Sequence, residues 1–277
     1  MDFDRVNHDM LMGRVARRVK DKRLLKLLRA FLNAGVVMEN GVVVRTEEGT
    51  PQGGPLSPLL SNLMLDDLDR ELERRGHLFV RYADDCNIYV RTERAGQRVM
   101  ESVSQFITKE LKLKVNREKS AVAVPWVRKF LGFSFTSEKA TRRRLAPKAR
   151  KRFEERIREL TQRNRGSSMD QKISELSQYM RGWMGYFAFC QTPSVFKELD
   201  SWIRRRLRCV QWKQWKNCKG RYKGLRQRGI DAHQTHMLAC CSRGPWTVSH
   251  YSTLTRALPN VYFASLGLPS LVELHRT

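Results

Sequence analysis

The chain has 277 residues, 41% of them hydrophobic, enough to bury a core in one large domain or two smaller ones. Fifty-three Lys and Arg against 28 Asp and Glu leave a net charge of +25, a balance that calls for a polyanionic partner, nucleic acid foremost, held by salt-sensitive contacts. With no apolar run of about 18 residues and no secretory h-region, no membrane partner is expected, and the chain reads as a soluble, cytoplasmic protein.

In chain order, residues 8–20 and 22–33 have helical periodicity and 42–46 reads as a strand. The turn-rich stretch from Glu47 to Pro55 precedes an amphipathic helix predicted from Ser57 to about Arg75. Leu78-Phe79-Val80 and Asn87-Ile88-Tyr89-Val90 are rich in aromatic and β-branched residues and predict the two arms of a hairpin. Its tip is Asp84-Asp85.

The composition changes near residue 137, and residues 139–228 hold 26 Lys and Arg against 7 Asp and Glu. From Pro147 to about Trp215 the pattern is helical, with Phe153, Ile157 and Leu160 on one apolar face and Ile173, Leu176, Tyr179 and Met180 on another. Gly166-Ser167-Ser168 and Thr192-Pro193 divide this stretch into three helices. Beyond Lys219, Gly, Pro and basic residues interrupt the period, and a small irregular module is expected. The chain reads as α+β, with segments 1–136, 137–218 and 219–277.

Six cysteines show no paired Cys-x-x-Cys spacing, so reduced thiols are expected. His233, His236, Cys240, Cys241 and His250 could gather a metal, but their spacing fits no structural zinc pattern.

The residues that carry chemistry lie in four places. Asp84 and Asp85 set two like charges side by side, an arrangement eased by a divalent cation; the plainer reading is a solvated turn. Gln52 beside Gly53 offers an amide next to backbone that a ligand can approach closely; the plainer reading is a Gly/Pro loop before a helix. Arg142, Arg143, Arg144, Lys148, Lys151 and Arg152 form one basic cluster, and Arg204, Arg205, Arg206 and Arg208 another. Trp202, Trp212 and Trp215 lie among them, to stack on bases or to pack inside.

The ordered set Gly49-Thr50-Pro51-Gln52-Gly53-Gly54-Pro55-Leu56-Ser57-Pro58-Leu59-Leu60-Ser61-Asn62, then Tyr82-Ala83-Asp84-Asp85, then Lys129-Phe130-Leu131-Gly132-Phe133 resembles bacterial group II intron reverse transcriptases, also called maturases. Tyr179-Met180-Arg181-Gly182-Trp183-Met184-Gly185-Tyr186-Phe187 is similar to the start of their thumb. The resemblance implies a partial right-hand polymerase palm over 1–136, a helical thumb or maturase domain over 137–218, and a DNA-binding-like module without endonuclease over 219–277. It implies that Asp84 and Asp85 hold Mg2+ for two-metal nucleotidyl transfer. Phe3, Gln52, Gly53 and Lys119 would line the nucleotide and template, and Phe130, Leu131, Gly132 and Phe133 match the strand-turn that positions the primer end; the plainer reading of the last four is a buried strand edge with Gly132 at a bulge. Group II intron RNA, an RNA template with a DNA primer, and target DNA are the implied partners, the two basic clusters gripping RNA.

In the family a further metal-binding aspartate lies six residues before the one matched by Asp4, and counting back from Asp4 runs past Met1. The expectation is therefore a truncated member without fingers and first aspartate, its polymerisation impaired. The alternatives are a non-enzymatic RNA-binding splicing cofactor and a decayed fragment.

Overall fold

The computed structural model describes residues 6–34, 36–37, 43–44, 49 and 54–276. The chain divides into two compact units, Met1–Val124 and Pro125–Thr277. Helix and strand are mixed, with helix dominant, consistent with an α+β chain.

Unit 1 contains α1 (His8–Arg18), α2 (Lys22–Asn33), β1 (Val36–Val37), β2 (Val43–Val44), α3 (Ser57–Arg74), β3 (Leu78–Tyr82), β4 (Asp85–Tyr89) and α4 (Glu93–Lys109). Side-chain oxygens start three of its helices: Asn7 accepts from the Met10 N–H, Asp21 from Arg23 and Leu24, and Thr92 from Ala95. Helix α3 organises the unit because Leu60, Met64, Leu68 and Leu72 recur every four residues and, with Leu65, make one buried stripe. Leu11 and Val15 of α1, Leu32 of α2, and Val103 and Ile107 of α4 close on that stripe. Burying each such leucine contributes about 1.5–3 kcal/mol. The helix ends in a Schellman motif: Gly76 adopts φ +71°, its N–H bonds the Glu73 carbonyl, and His77 N–H bonds that of Leu72. That reversal sends the chain directly into β3.

Unit 2 contains β5 (Phe133–Phe135), β6 (Arg143–Leu145), α5 (Pro147–Leu160), α6 (Met169–Phe187), α7 (Ser194–Gln214), α8 (Cys218–Arg226), α9 (Ala232–Ala239), α10 (Pro245–Val248), α11 (Ser252–Ala257), α12 (Asn260–Ser265) and α13 (Leu271–Arg276). The three helices expected between Pro147 and Trp215 are α5, α6 and α7, parted where Gly166 and Thr192-Pro193 stand. Gly166 takes φ +74° and Ser168 caps α6 through Oγ. Phe153, Ile157, Ile173, Leu176, Met180, Phe196 and Leu207 are fully buried in their shared core.

The expectation of an irregular stretch beyond Lys219 is corrected. Six short helices occupy it, and Leu225, Leu238, Val248, Leu254, Leu258, Phe263 and Leu271 join the same core as α5–α7. Glycine and proline there do not prevent helices: Pro245 opens α10, Pro259 precedes α12, Gly220 and Gly224 lie within α8, and Gly229 and Gly267 at positive φ follow helix ends, while burial stabilises helices too short to persist alone. Two buried polar anchors fasten the stretch to α7. Asp200 accepts from Ser270 Oγ at 2.7 Å and Leu271 N–H at 2.9 Å, and Arg208 Nε donates to the Leu258 carbonyl at 3.0 Å.

Candidate functional site

Strands β3 and β4 pair antiparallel with Tyr82 opposite Asp85, so Ala83 and Asp84 alone form the turn. Alternation sends Phe79 and Arg81, with their partners Ile88 and Cys86, towards the unit 1 core. Leu78, Val80, Tyr82 and Asp85 lie on the outward face, and both Asp84 and Asp85 are exposed. The turn requires φ +51° at Ala83, a left-handed conformation that costs an L-residue on the order of 1–2 kcal/mol.

Arg81 holds that turn against α3. Its guanidinium makes a bidentate pair with Asp69 at 2.7 and 2.5 Å, donates to Asn62 Oδ1 at 2.9 Å, and donates to the Ala83 carbonyl at 2.8 Å. Asp69 balances the Arg81 charge and raises its pKa. The Arg81 side chain is only 11% exposed, against 26% for Asp69. Sequence reasoning missed this clamp. The available signal was Asn62 and Asp69 spaced seven residues apart, two helical turns on one face of α3, upstream of a strand arginine.

Burial, reinforced by Asp69, pushes the Cys86 thiol up to about 11, so it stays neutral beside the aspartate pair. Two adjacent exposed carboxylates offer hard oxygen donors, the donor type that suits Mg2+. Among the described residues no cluster of three or more His, Cys, Asp and Glu could hold a metal ion. Lys119 sits in a turn in which Asn116 Oδ1 accepts from its backbone N–H at 3.1 Å, and its side chain is exposed. Phe3, Gln52 and Gly53 lie outside the described residues, as does Asp4.

In unit 2, Phe130 and Phe133 exchange two backbone hydrogen bonds of 2.9 Å. Leu131 at φ +51° and Gly132 at φ +79° are the central residues, the signature of a type I′ turn. The segment is therefore a strand-turn closed by two residues, and the plainer alternative, a strand edge with a bulge at Gly132, is the one the structure does not show. Tyr186 Oη donates to the Leu131 carbonyl at 2.9 Å, and Phe133 packs on the rings of Tyr186 and Phe187, so the end of α6 carries this turn.

The two basic clusters have different surroundings. Arg142, Arg143, Arg144, Lys148, Lys151 and Arg152 are exposed along β6 and the first turns of α5. Their carboxylate neighbours are few, Glu138 at 3.7 Å from Arg142 and Glu155 at 4.0 Å from Lys151. Arg204 is half-buried, whereas Arg205, Arg206 and Arg208 have protein partners. Arg205 lies 3.6 Å above the Trp246 ring and donates to Ser249 Oγ; Arg206 donates to Thr161 Oγ1 at 2.6 Å. Arg208 is 8% exposed. A run of arginines on a helix samples every face, so part of this one points into the fold. The tryptophans divide likewise: Trp212 is fully buried, while Trp202 is flanked by Arg158 and Arg206. Among the described residues no helix is long and apolar enough to cross a membrane.

Residues 2–135 match the family "Reverse transcriptase (RNA-dependent DNA polymerase)", and residues 150–229 match "Group II intron, maturase-specific domain". Protein YkfC of Escherichia coli K12 is 30% identical over 176 residues, 51% of this chain and 45% of YkfC. The group II intron-encoded protein LtrA of Lactococcus lactis is 44% identical over 68 residues, 24% of this chain and 11% of LtrA. A putative COX1/OXI3 intron 2 protein of Saccharomyces cerevisiae is 42% identical over 73 residues, 26% of this chain and 8% of that protein. The chain thus matches less than half the length of each of these relatives.

Proposed function

The chain belongs to the group II intron reverse transcriptase and maturase family, and on that premise we propose that it polymerises DNA on an RNA template and binds intron RNA to assist splicing and mobility. The observation that carries the polymerase reading is the β3–β4 hairpin, whose clamped turn presents Asp84 and Asp85 together at an exposed tip. These two carboxylates would hold Mg2+. When bound, the ion lowers the pKa of the attacking 3′-hydroxyl and neutralises phosphate charge.

Arg81 keeps both carboxylates in place by fixing the Ala83 carbonyl, and because Asp69 balances its charge it does so without neutralising the pair. Neutral Cys86 adds no charge of its own. Lys119 and the loop at Gln52 and Gly53, with Phe3, would line the nucleotide. The Phe130–Phe133 turn would position the primer end. Residues 1–136 would act as a partial palm, 137–218 as thumb, and 219–277 as a target-DNA module. Intron RNA would lie against Arg142, Arg143, Arg144, Lys148, Lys151 and Arg152, the exposed basic face.

A second reading, an RNA-binding splicing cofactor that does not polymerise, is favoured by the concentration of positive charge between residues 139 and 228. Primer extension on an RNA template with Mg2+ separates the two. The polymerase reading expects incorporation that Asp84→Ala or Asp85→Ala abolishes while RNA binding persists. RNA binding without incorporation by the unaltered chain establishes the cofactor reading instead.

A further inference from the structure

Two exposed thiols outside the proposed site lie in contact. Cys218 opens α8 and Cys240 follows the last residue of α9, 22 positions on, and their sulfurs are 2.9 Å apart. The contact follows from the geometry of the two helices. Helix α8 has nine residues and α9 has eight, lengths of about 13 and 12 Å at 1.5 Å per residue. Gly229 at φ +77° reverses the chain between them, and Arg226 closes the turn by donating to the Ile230 carbonyl at 2.7 Å. Two antiparallel helices of matched length bring the first residue of one level with the end of the other.

The ends are held from outside as well. Asn217 Oδ1 caps α8 through the Gly220 N–H, and Trp215 packs flat against Gly224, where any Cβ would meet its ring at 2.4 Å. Leu225, Ile230 and Leu238 bury the hairpin against the unit 2 core. The thiols therefore face each other on a rigid support while remaining open to solvent.

We propose that Cys218 and Cys240 form a reversible disulfide that staples the α8–α9 hairpin under oxidising conditions. Forming the bond closes the sulfurs by only about 0.9 Å. A low-molecular-weight disulfide is the oxidant. One cysteine thiolate attacks it, forming a mixed disulfide and expelling one small thiolate. The second cysteine then attacks the protein sulfur of that mixed disulfide, forming the S–S bond and expelling the other small thiolate. Two electrons pass from the cysteine pair to the oxidant, and the two cysteine protons end on the two released thiols. Hydrogen bonding to Cys218 raises the Cys240 pKa. An exposed pair of this kind is the labile, redox-responsive type rather than a permanent crosslink.

The test uses the full chain, reduced with dithiothreitol and then equilibrated with glutathione buffers of increasing oxidised fraction. Peptide mapping without reductant should show one crosslinked pair containing Cys218 and Cys240, with two free thiols lost and both restored by dithiothreitol. The crosslink closes a loop of the unfolded chain, so Tm should rise by about 5–10 °C on oxidation. Cys218→Ser and Cys240→Ser should each abolish that rise. Stable glutathione adducts at Cys218 or Cys240, pairing with Cys241 instead, or crosslinks only between chains would each overturn the proposal. So would a Tm that oxidation leaves unchanged.

Discussion

Replacing Arg81 tests whether the aspartate hairpin depends on its clamp. Arg81→Met removes four hydrogen bonds, two to Asp69, one to Asn62 and one to the Ala83 carbonyl. Breaking a fully buried ion pair costs about 3–5 kcal/mol because the remaining charge has no partner. Asp69 is 26% exposed, so water recovers part of that penalty, and about 2–3 kcal/mol is the expected loss. A loss of that size lowers Tm of a unit this long by roughly 10 °C and leaves it folded. Urea unfolding should show a lower midpoint with unchanged slope. A double-mutant cycle with Asp69→Asn should return a coupling above about 1 kcal/mol, and Arg81→Lys, which cannot make the bidentate pair, should recover less than half. A coupling within about 0.5 kcal/mol of zero, or full recovery by lysine, would refute the clamp.

Two further outcomes follow from single positions. Gly132→Ala places a side chain at φ +79° with its Cβ 3.0 Å from the Phe187 ring, and should cost about 1–2 kcal/mol by thermal unfolding; a neutral result would exclude the type I′ turn there. Cys86, pushed up to about 11 from an ordinary 9.0, has a raised folded pKa, so its contribution to stability is complete below pH 9 and is lost as pH rises towards 11. Iodoacetamide should accordingly modify Cys86 far more slowly than Cys218 at pH 8, the gap narrowing only near pH 11; comparable rates at pH 8 would contradict its burial.

Local pattern carried a large share of the fold. The amphipathic pattern of α3 and the Gly166 and Thr192-Pro193 breaks each act over a few residues, so the helices they define follow from adjacent chemistry; the Asn7 and Thr92 caps, and α4 with the latter, are equally local but went unread. The Asp84-Asp85 hairpin was legible for the same reason, since β-propensity and alternation are properties of a short window. Features joining distant positions were not. The Arg81–Asp69 clamp, the Cys218–Cys240 contact and the helices beyond Lys219 depend on which faces meet after folding.

The arginine run at 204–208 shows the division most plainly. By itself the sequence determined a helix with excess positive charge at that point, because composition and period are local. Only the tertiary structure decided that Arg208 turns inward to the Leu258 carbonyl and Arg205 lies on Trp246, whereas Arg142, Arg143, Lys148, Lys151 and Arg152 are exposed. A charge is assigned by its residue, but whether it meets solvent or a protein acceptor is set by the surface packed against it.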